Sequence, residues 1–357
     1  MNISSKNKEY WNIVKGIGIL SIVIGHTNKT LSSYVYLFHL VIFFFVSGYL
    51  YSEDKYGDDP FLNFMSRLKT NWKKYFAFST IYVLLHNIFL EIGIIINTSK
   101  YSFIDIIMQL INSMLLQCYE TLAGALWFVP VLILASTLFG IIIFLGRKMS
   151  KIFNKKWIKH VIIIFIGIFF SVIGVMMNMK NMGLFYHSQT SILVVPIFII
   201  AYYVRHIKDI NPFLKFYAFI PSIIFLYLCV NKFSWSIELS ENNIPGYIFY
   251  LISIVGIYVC LYLAKILLRL KKIKKYFLLI GKYSFEIMAL HFICLKLVDI
   301  VYAIIIGNFN PLVYGIFPTA YNEIWLIYVM VGTLLPCIIM TLYKRIIETL
   351  KIKLKLT

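Results

Sequence analysis

The sequence predicts an all-α integral membrane protein, a bundle of about ten transmembrane helices with both termini cytoplasmic. Three observations predict it. Hydrophobic residues make up 61% of the chain and charged residues 14%, whereas soluble domains are about a quarter charged. The apolar residues come in runs close to the ~20 residues an α-helix needs to cross a hydrocarbon core. The lysines and arginines lie almost wholly in every second connection between those runs, the asymmetry that orients membrane helices. A many-span bundle folds as one unit, so residues 1–357 read as a single multi-pass domain.

Each expected span is an apolar run bounded by charge or turn residues. The first, 10–28, stops at Lys29, and the second, 31–51, stops before Glu53-Asp54-Lys55. The third, 74–97, follows the basic stretch from Arg67 to Lys74. Residues 103–118 carry Asp105, Gln109, Asn112 and Gln117. They are too short and too polar to span, and predict an interfacial or re-entrant helix on the outer side. The next three spans, 122–146, 158–178 and 187–204, are separated by Arg147-Lys148 and Lys180 and closed by Arg205. Spans at 212–231 and 245–264 flank Lys232 and stop at Lys265. The ninth, 277–305, is long enough to tilt or protrude, and the tenth, 321–343, ends at Lys344-Arg345.

With the N-terminus inside, 27 of the 34 lysines and arginines fall in cytoplasmic segments. Four (Lys29, Lys100, Lys180, Lys232) fall in outer ones, and Lys15, Lys282 and Lys296 lie within spans. This pattern argues against nucleic acid as a partner despite the net charge of +19. The cations sit in short clusters between spans, where they set topology and meet anionic membrane lipid. The five cysteines (Cys118, Cys229, Cys260, Cys294, Cys337) are scattered singly; they have no metal-ligand spacing and read as packing residues. No small-residue cleavage site follows the first apolar run, so that span is expected to stay. His-Glu-x-x-His, paired-cysteine, Gly-x-Ser-x-Gly and Gly-rich phosphate motifs are absent from the sequence, and no metal is expected. The sequence leaves a homo-oligomer open.

Ionisable groups within spans are costly and usually face the protein interior or a wet cavity. Lys15 and His26, eleven residues apart, share one face of the first span and are separated by roughly 16 Å along its axis. His39 and Ser47 are on the second span, and His86 and Glu91 on the third. Lys282, Ser284, Glu286, His291, Lys296 and Asp299 are on the ninth. Any single histidine can simply join neighbouring helices by a hydrogen bond. Lys296 and Asp299, three apart, read as a structural ion pair, and Glu91, at a span end, as solvated. Histidine near the outer mouth can take a proton from a hydroxyl, and cations near the inner mouth can hold phosphates. A base at one mouth and an anion site at the other suggest group transfer across the membrane.

These residues resemble the motifs of the membrane acyltransferase type 3 family of bacterial O-acyltransferases. Lys15-x10-His26 is similar to its opening motif of a basic residue, ten residues and histidine. Phe38-His39 through Phe43-Phe44-Phe45-Val46-Ser47-Gly48-Tyr49 resembles its second-span run. Residues 67–76 occupy the place of its basic segment, and Leu126-Trp127-Phe128 resembles its fourth-span motif. Gly281-Lys282-Tyr283-Ser284 followed by His291 resembles its late motif. The resemblance implies transfer of an acyl group, usually acetyl from acetyl-CoA on the cytoplasmic side, to a hydroxyl of a cell-surface, capsular or lipid-linked glycan. It also implies the bacterial plasma membrane as the location. His26 would be the catalytic base or a transient acyl carrier, and Lys15 would assist the acyl or CoA end. Arg67, Lys69, Lys73 and Lys74 would bind CoA phosphates, unless they are ordinary cytoplasmic topology charge. His291 joins His26 and Lys15 as a catalytic candidate, while Asn12, His39, Ser47, Trp127, Ser284 and Glu286 would belong to the substrate cavity. Two departures stand out: Asn12 replaces the family's usual aspartate, and Lys15 replaces its commoner arginine. An acidic partner for Lys15 or His26 is then either missing or supplied from elsewhere, with Glu286 the candidate. The competing reading is a polysaccharide exporter or flippase with the same cavity and no chemistry.

Overall fold

The computed structural model describes residues 5–96, 98–207, 212–307 and 319–355. Among these residues the regular elements are helical, and the only β-type pairing is an isolated bridge between Glu238 and Asn243. The first helices are α1 (Ser5–Gly25), α2 (Lys29–Tyr36), α3 (Val41–Tyr49), α4 (Glu53–Tyr56) and α5 (Pro60–Glu91). Then come α6 (Phe103–Met114), α7 (Phe128–Ile152), α8 (Lys156–Met179), α9 (Ser188–Arg205) and α10 (Phe216–Asn231). The last are α11 (Ile248–Leu267), α12 (Lys271–Lys282), α13 (Ser284–Ile306) and α14 (Trp325–Lys355).

Among the described residues, seven helical segments are long and apolar enough to cross a membrane. They are Thr30–Tyr49, Thr121–Ile152, Lys156–Met179, Phe185–Arg205, Ile248–Leu267, Ser284–Ile306 and Asn322–Lys351. Ten were expected, and the shortfall has a physical cause. The helix α1 carries Lys8, Glu9 and Lys15; α5 mixes its apolar turns with Lys74, His86, Asn87 and Glu91; and α10 has 16 residues. Two of these three helices carry ionisable residues of the expected site, so polarity there lowers the membrane signal.

Two expected spans are redrawn, and a third is present with an irregular turn inside it. The expected span 31–51 appears as the helical segment Thr30–Tyr49, in which residues 37–40 form turns between α2 and α3, with His39 among them. The segment 277–305 breaks at Tyr283, which separates α12 from α13 and puts Lys282 and Ser284 on different helices. In place of the expected third span 74–97 stands the helix α5, which starts earlier and ends at Glu91; Pro60 occupies its first turn and Asp59 caps it, accepting from Leu62 N–H at 2.9 Å. Arg67, Lys69, Lys73 and Lys74 therefore lie on a continuous helix rather than in a loop.

The segment after α5 doubles back along it. Asn87 is hydrogen-bonded to Tyr101, Trp72 Nε1 donates to Met114 O at 2.8 Å, and His86 meets Glu120 at 2.9 Å. A Ser102–Asp105 capping box starts α6, and its apolar side (Phe103, Ile104, Ile107, Met108, Ile111) is exposed. At 12 residues, α6 is too short to cross a membrane, as expected for 103–118.

The helix α1 packs against α2, α3, α11, α12, α13 and α14. Its contact with α12 is close because both helices present glycine: a Cβ on Gly281 would lie 1.9 Å from Asn12 O, and one on Gly16 would lie 2.5 Å from Phe277 O. Near α4, Arg147 joins Glu53 at 3.2 Å and Asp58 at 2.5 Å, while Glu53 also accepts from Lys159 Nζ at 2.6 Å and from the Tyr202 hydroxyl at 2.5 Å. Burial would raise the Glu53 carboxyl, but hydrogen bonds from Lys159 and Tyr202 and the nearby cations outweigh it and hold it below the usual carboxylate range. This network fastens the α3–α5 connection to α7, α8 and α9.

Candidate active site

The helix α1 ends at Gly25, and Asn28 caps α2 by accepting from Thr30 N–H and Leu31 N–H. His26 is held in the turn between them and faces a cavity of about 690 Å³. Its ring stacks on His291 of α13 with centroids 5.4 Å apart and planes 24° apart, and Phe292 meets it edge-on at 5.1 Å. Tyr36 places its hydroxyl 3.4 Å from His26 Nδ1.

His291 is fully buried, with Nδ1 3.0 Å from Ile287 O and 2.9 Å from Met288 O. Carbonyl oxygens only accept, so Nδ1 carries the proton and Nε2 keeps its lone pair. That Nε2 has no hydrogen-bond partner among the described residues. His39 is fixed the same way, donating from Nδ1 to Val35 O at 3.1 Å, and it stacks on Tyr36 at 4.7 Å. His39 and Trp127 both line the cavity, Trp127 from a 3-10 turn (Thr121–Trp127) ahead of α7.

The other expected site residues lie elsewhere. Asn12, Lys15, Ser47, Ser284 and Glu286 do not line this cavity, and His291 sits behind its wall rather than on it. Lys15, nearer the other end of α1, belongs to a second cluster. There Lys74 Nζ meets Glu286 Oε1 at 2.8 Å, and Lys15 is within electrostatic reach of both. Glu286 is 3% exposed, and its Oε2 has no partner among the described residues. Glu286 thus pairs directly with Lys74 and only at longer range with Lys15. Asn12 contributes its backbone carbonyl to the α1–α12 contact. In the basic stretch Arg67 is half-buried near Tyr51 and Tyr56; Lys69, Lys73 and Lys74 are exposed, and of these Lys74 reaches Glu286.

Sequence reasoning missed Tyr36, His187, Glu238, Glu241 and Thr319, all of which line the cavity. Tyr186 and His187 adopt left-handed backbone conformations, with φ of 57° and 50°. Such strain in non-glycine residues is tolerated where surrounding contacts fix it; here the His187 ring lies 5.2 Å from Trp127. Nothing in a lone histidine at the edge of an apolar run signals that turn. Glu238 and Glu241 lie in a polar connection that composition alone marks as solvated.

A family model described as an acyltransferase domain matches residues 8–343. The chain belongs to the acyltransferase 3 family. No curated protein and no solved structure matches it. Its membrane-like helices and family together make it a membrane acyltransferase. Among the described residues of this acyltransferase, no group of three or more His, Cys, Asp or Glu side chains is placed to hold a metal ion. The expected Lys296–Asp299 pair is present, at 3.4 Å and buried, with Asp299 also accepting from the Tyr328 hydroxyl. Glu91 is exposed and meets Lys100 at 2.5 Å.

Proposed function

We propose that this protein is a ten-span O-acyltransferase with both termini cytoplasmic, carrying acetyl from acetyl-CoA to a hydroxyl of a cell-surface glycan. The observation that carries the reading is the stacked His26–His291 pair at a cavity large enough for sugar units. In this reading the acceptor enters the cavity and the acyl donor approaches from the end of α1 that carries Lys15. His26 removes the proton of the acceptor hydroxyl as the hydroxyl oxygen attacks the thioester carbonyl. The C–S bond breaks, an ester C–O bond forms, and the thiolate takes up the proton and leaves as CoA. His291 touches the His26 ring and has its own tautomer fixed by α13 carbonyls, so it acts as a positioning residue. Arg67 and Lys74 hold the anionic end of the donor, and Lys15 supports its acyl-bearing end. Phosphate contacts of this kind are strong when charge-assisted.

The test is His26→Ala in cells and in the purified protein, reading glycan O-acetylation by mass spectrometry. Loss of a general base costs about 10²–10⁴-fold, so acetylation should fall to background while the folded protein is retained. Undiminished acetylation would end the catalytic reading. If native cells lack glycan acetylation but lose surface glycan when the gene is removed, the exporter reading replaces it.

A further inference from the structure

The outer cavity is the electrostatic exception in a chain of net charge +19. No lysine or arginine is among the described residues that line it, whereas Glu238 and Glu241 both do. Their loop is built rather than loose. Glu238 and Asn243 exchange backbone hydrogen bonds at 2.8 and 3.1 Å, and Asn243 Nδ2 donates to Ser236 at 2.8 Å. The loop is tied to α9 by Gln189 Nε2, which donates to Asn242 Oδ1 at 2.8 Å, and by Thr190 Oγ1, which donates to Leu239 O at 3.4 Å. Thr319 lines the same cavity at 5% exposure, and its hydroxyl has no hydrogen-bond partner among the described residues. A buried hydroxyl left without a partner beside aromatic and carboxylate walls is suited to a ligand that brings hydroxyls of its own.

From this wall we propose the acceptor class: Glu238 and Glu241 are specificity-determining residues that admit an uncharged or amine-bearing glycan and reject one carrying carboxylates or phosphates. Trp127 and Tyr36 offer faces and edges against which a sugar ring packs, and the two carboxylates accept hydrogen bonds from its hydroxyl or ammonium groups. An anionic sugar in the same place meets two like charges and no compensating cation. Two carboxylates about 7 Å away, in surroundings close to water, together disfavour an anion by roughly tenfold. The proposal rests on the acyl-transfer reading only in calling the glycan an acceptor.

The test uses the full chain in nanodiscs at pH 7.5 and low salt. Titration calorimetry gives the Kd for maltohexaose, hexagalacturonate and a chitosan hexamer, and labelled acetyl-CoA separately reports transfer to each. Maltohexaose and the chitosan hexamer are expected to bind at least about tenfold more tightly than hexagalacturonate. Glu238→Gln with Glu241→Gln should bring the neutral and anionic hexamers within about twofold of each other. Equal or tighter binding of hexagalacturonate by the native chain overturns the proposal, as does binding of none of the three. A preference that survives in the double variant overturns the roles of Glu238 and Glu241. Discriminating binding without label transfer supports the acceptor class and counts against the acyl-transfer reading instead.

Discussion

Replacing Gly281 by alanine should damage this protein more than almost any other single methyl group. The added Cβ would lie 1.9 Å from Asn12 O and 2.8 Å from Asn12 C. Ordinary contact begins at 3.4 Å, so α1 and α12 must separate by about 1.5 Å along that line, by difference. Both partners are backbone atoms, and no rotamer change relieves the overlap. Overpacking typically costs 1–3 kcal/mol, and with backbone on both sides the upper end is expected, ~3 kcal/mol. Because α1 carries Lys15 and leads directly into the turn that holds His26, the displacement should also reach the chemistry. A misplacement of ~1 Å can cost about 10²-fold in rate. Thermal unfolding of the purified variant in detergent gives the first number, and kcat/KM for acetyl transfer gives the second. Gly183→Ala is the matched control, since its added Cβ meets nothing within 4 Å. If Gly281→Ala unfolds and turns over like the parent, the close α1–α12 contact is not what positions the site.

Further expectations follow from the basic residues of α5 and from the network at α4. Arg67→Gln and Lys74→Gln should each raise KM for acetyl-CoA by about tenfold, the value of one charge-assisted contact of 1.4 kcal/mol. Lys69→Gln and Lys73→Gln, at exposed positions, should change KM less than about twofold; steady-state kinetics with varied acetyl-CoA checks both expectations. The Glu53 carboxyl is held below its usual range by Lys159, Tyr202 and Arg147. Its stabilisation is fully present above the ordinary carboxylate range and is lost as pH falls through the depressed folded value. Thermal unfolding should therefore show a larger loss between pH 7 and pH 3 for the native protein than for Glu53→Gln, and equal losses would refute the assignment.

The segments around His39 and Tyr283 show where sequence reading stops. Each lies in an apolar run long enough to pass as one helix, because hydropathy counts composition and takes no account of backbone direction. In the structure the first run holds a turn at 37–40 within the segment Thr30–Tyr49, with His39 at the cavity, and the second is divided at Tyr283, which separates Lys282 from the α13 residues Glu286 and His291. That 103–118 does not cross was readable from the sequence, since the segment is too short and too polar, and the helix there has 12 residues. The basic stretch was readable as charge, but that Arg67 is half-buried and that Lys74 reaches Glu286 needed the tertiary placement of α5.

By itself the sequence determined that the chain is helical and membrane-like, where its apolar segments fall and which polar residues are out of place among them. Those properties follow from local hydropathy, length and charge, which do not depend on neighbours. His26 and His39 could be singled out on that basis, and Trp127 by its resemblance to a family motif. Only the tertiary structure decided that His26 and His291, 265 positions apart in the sequence, stack as one pair, and that Glu286 closes on Lys74. The same is true of the turn that holds His187 and of the loop that brings Glu238 and Glu241 to the cavity wall. Such pairings depend on helix phase, crossing geometry and close glycine contacts between distant segments. None of these is encoded in any one stretch of the chain.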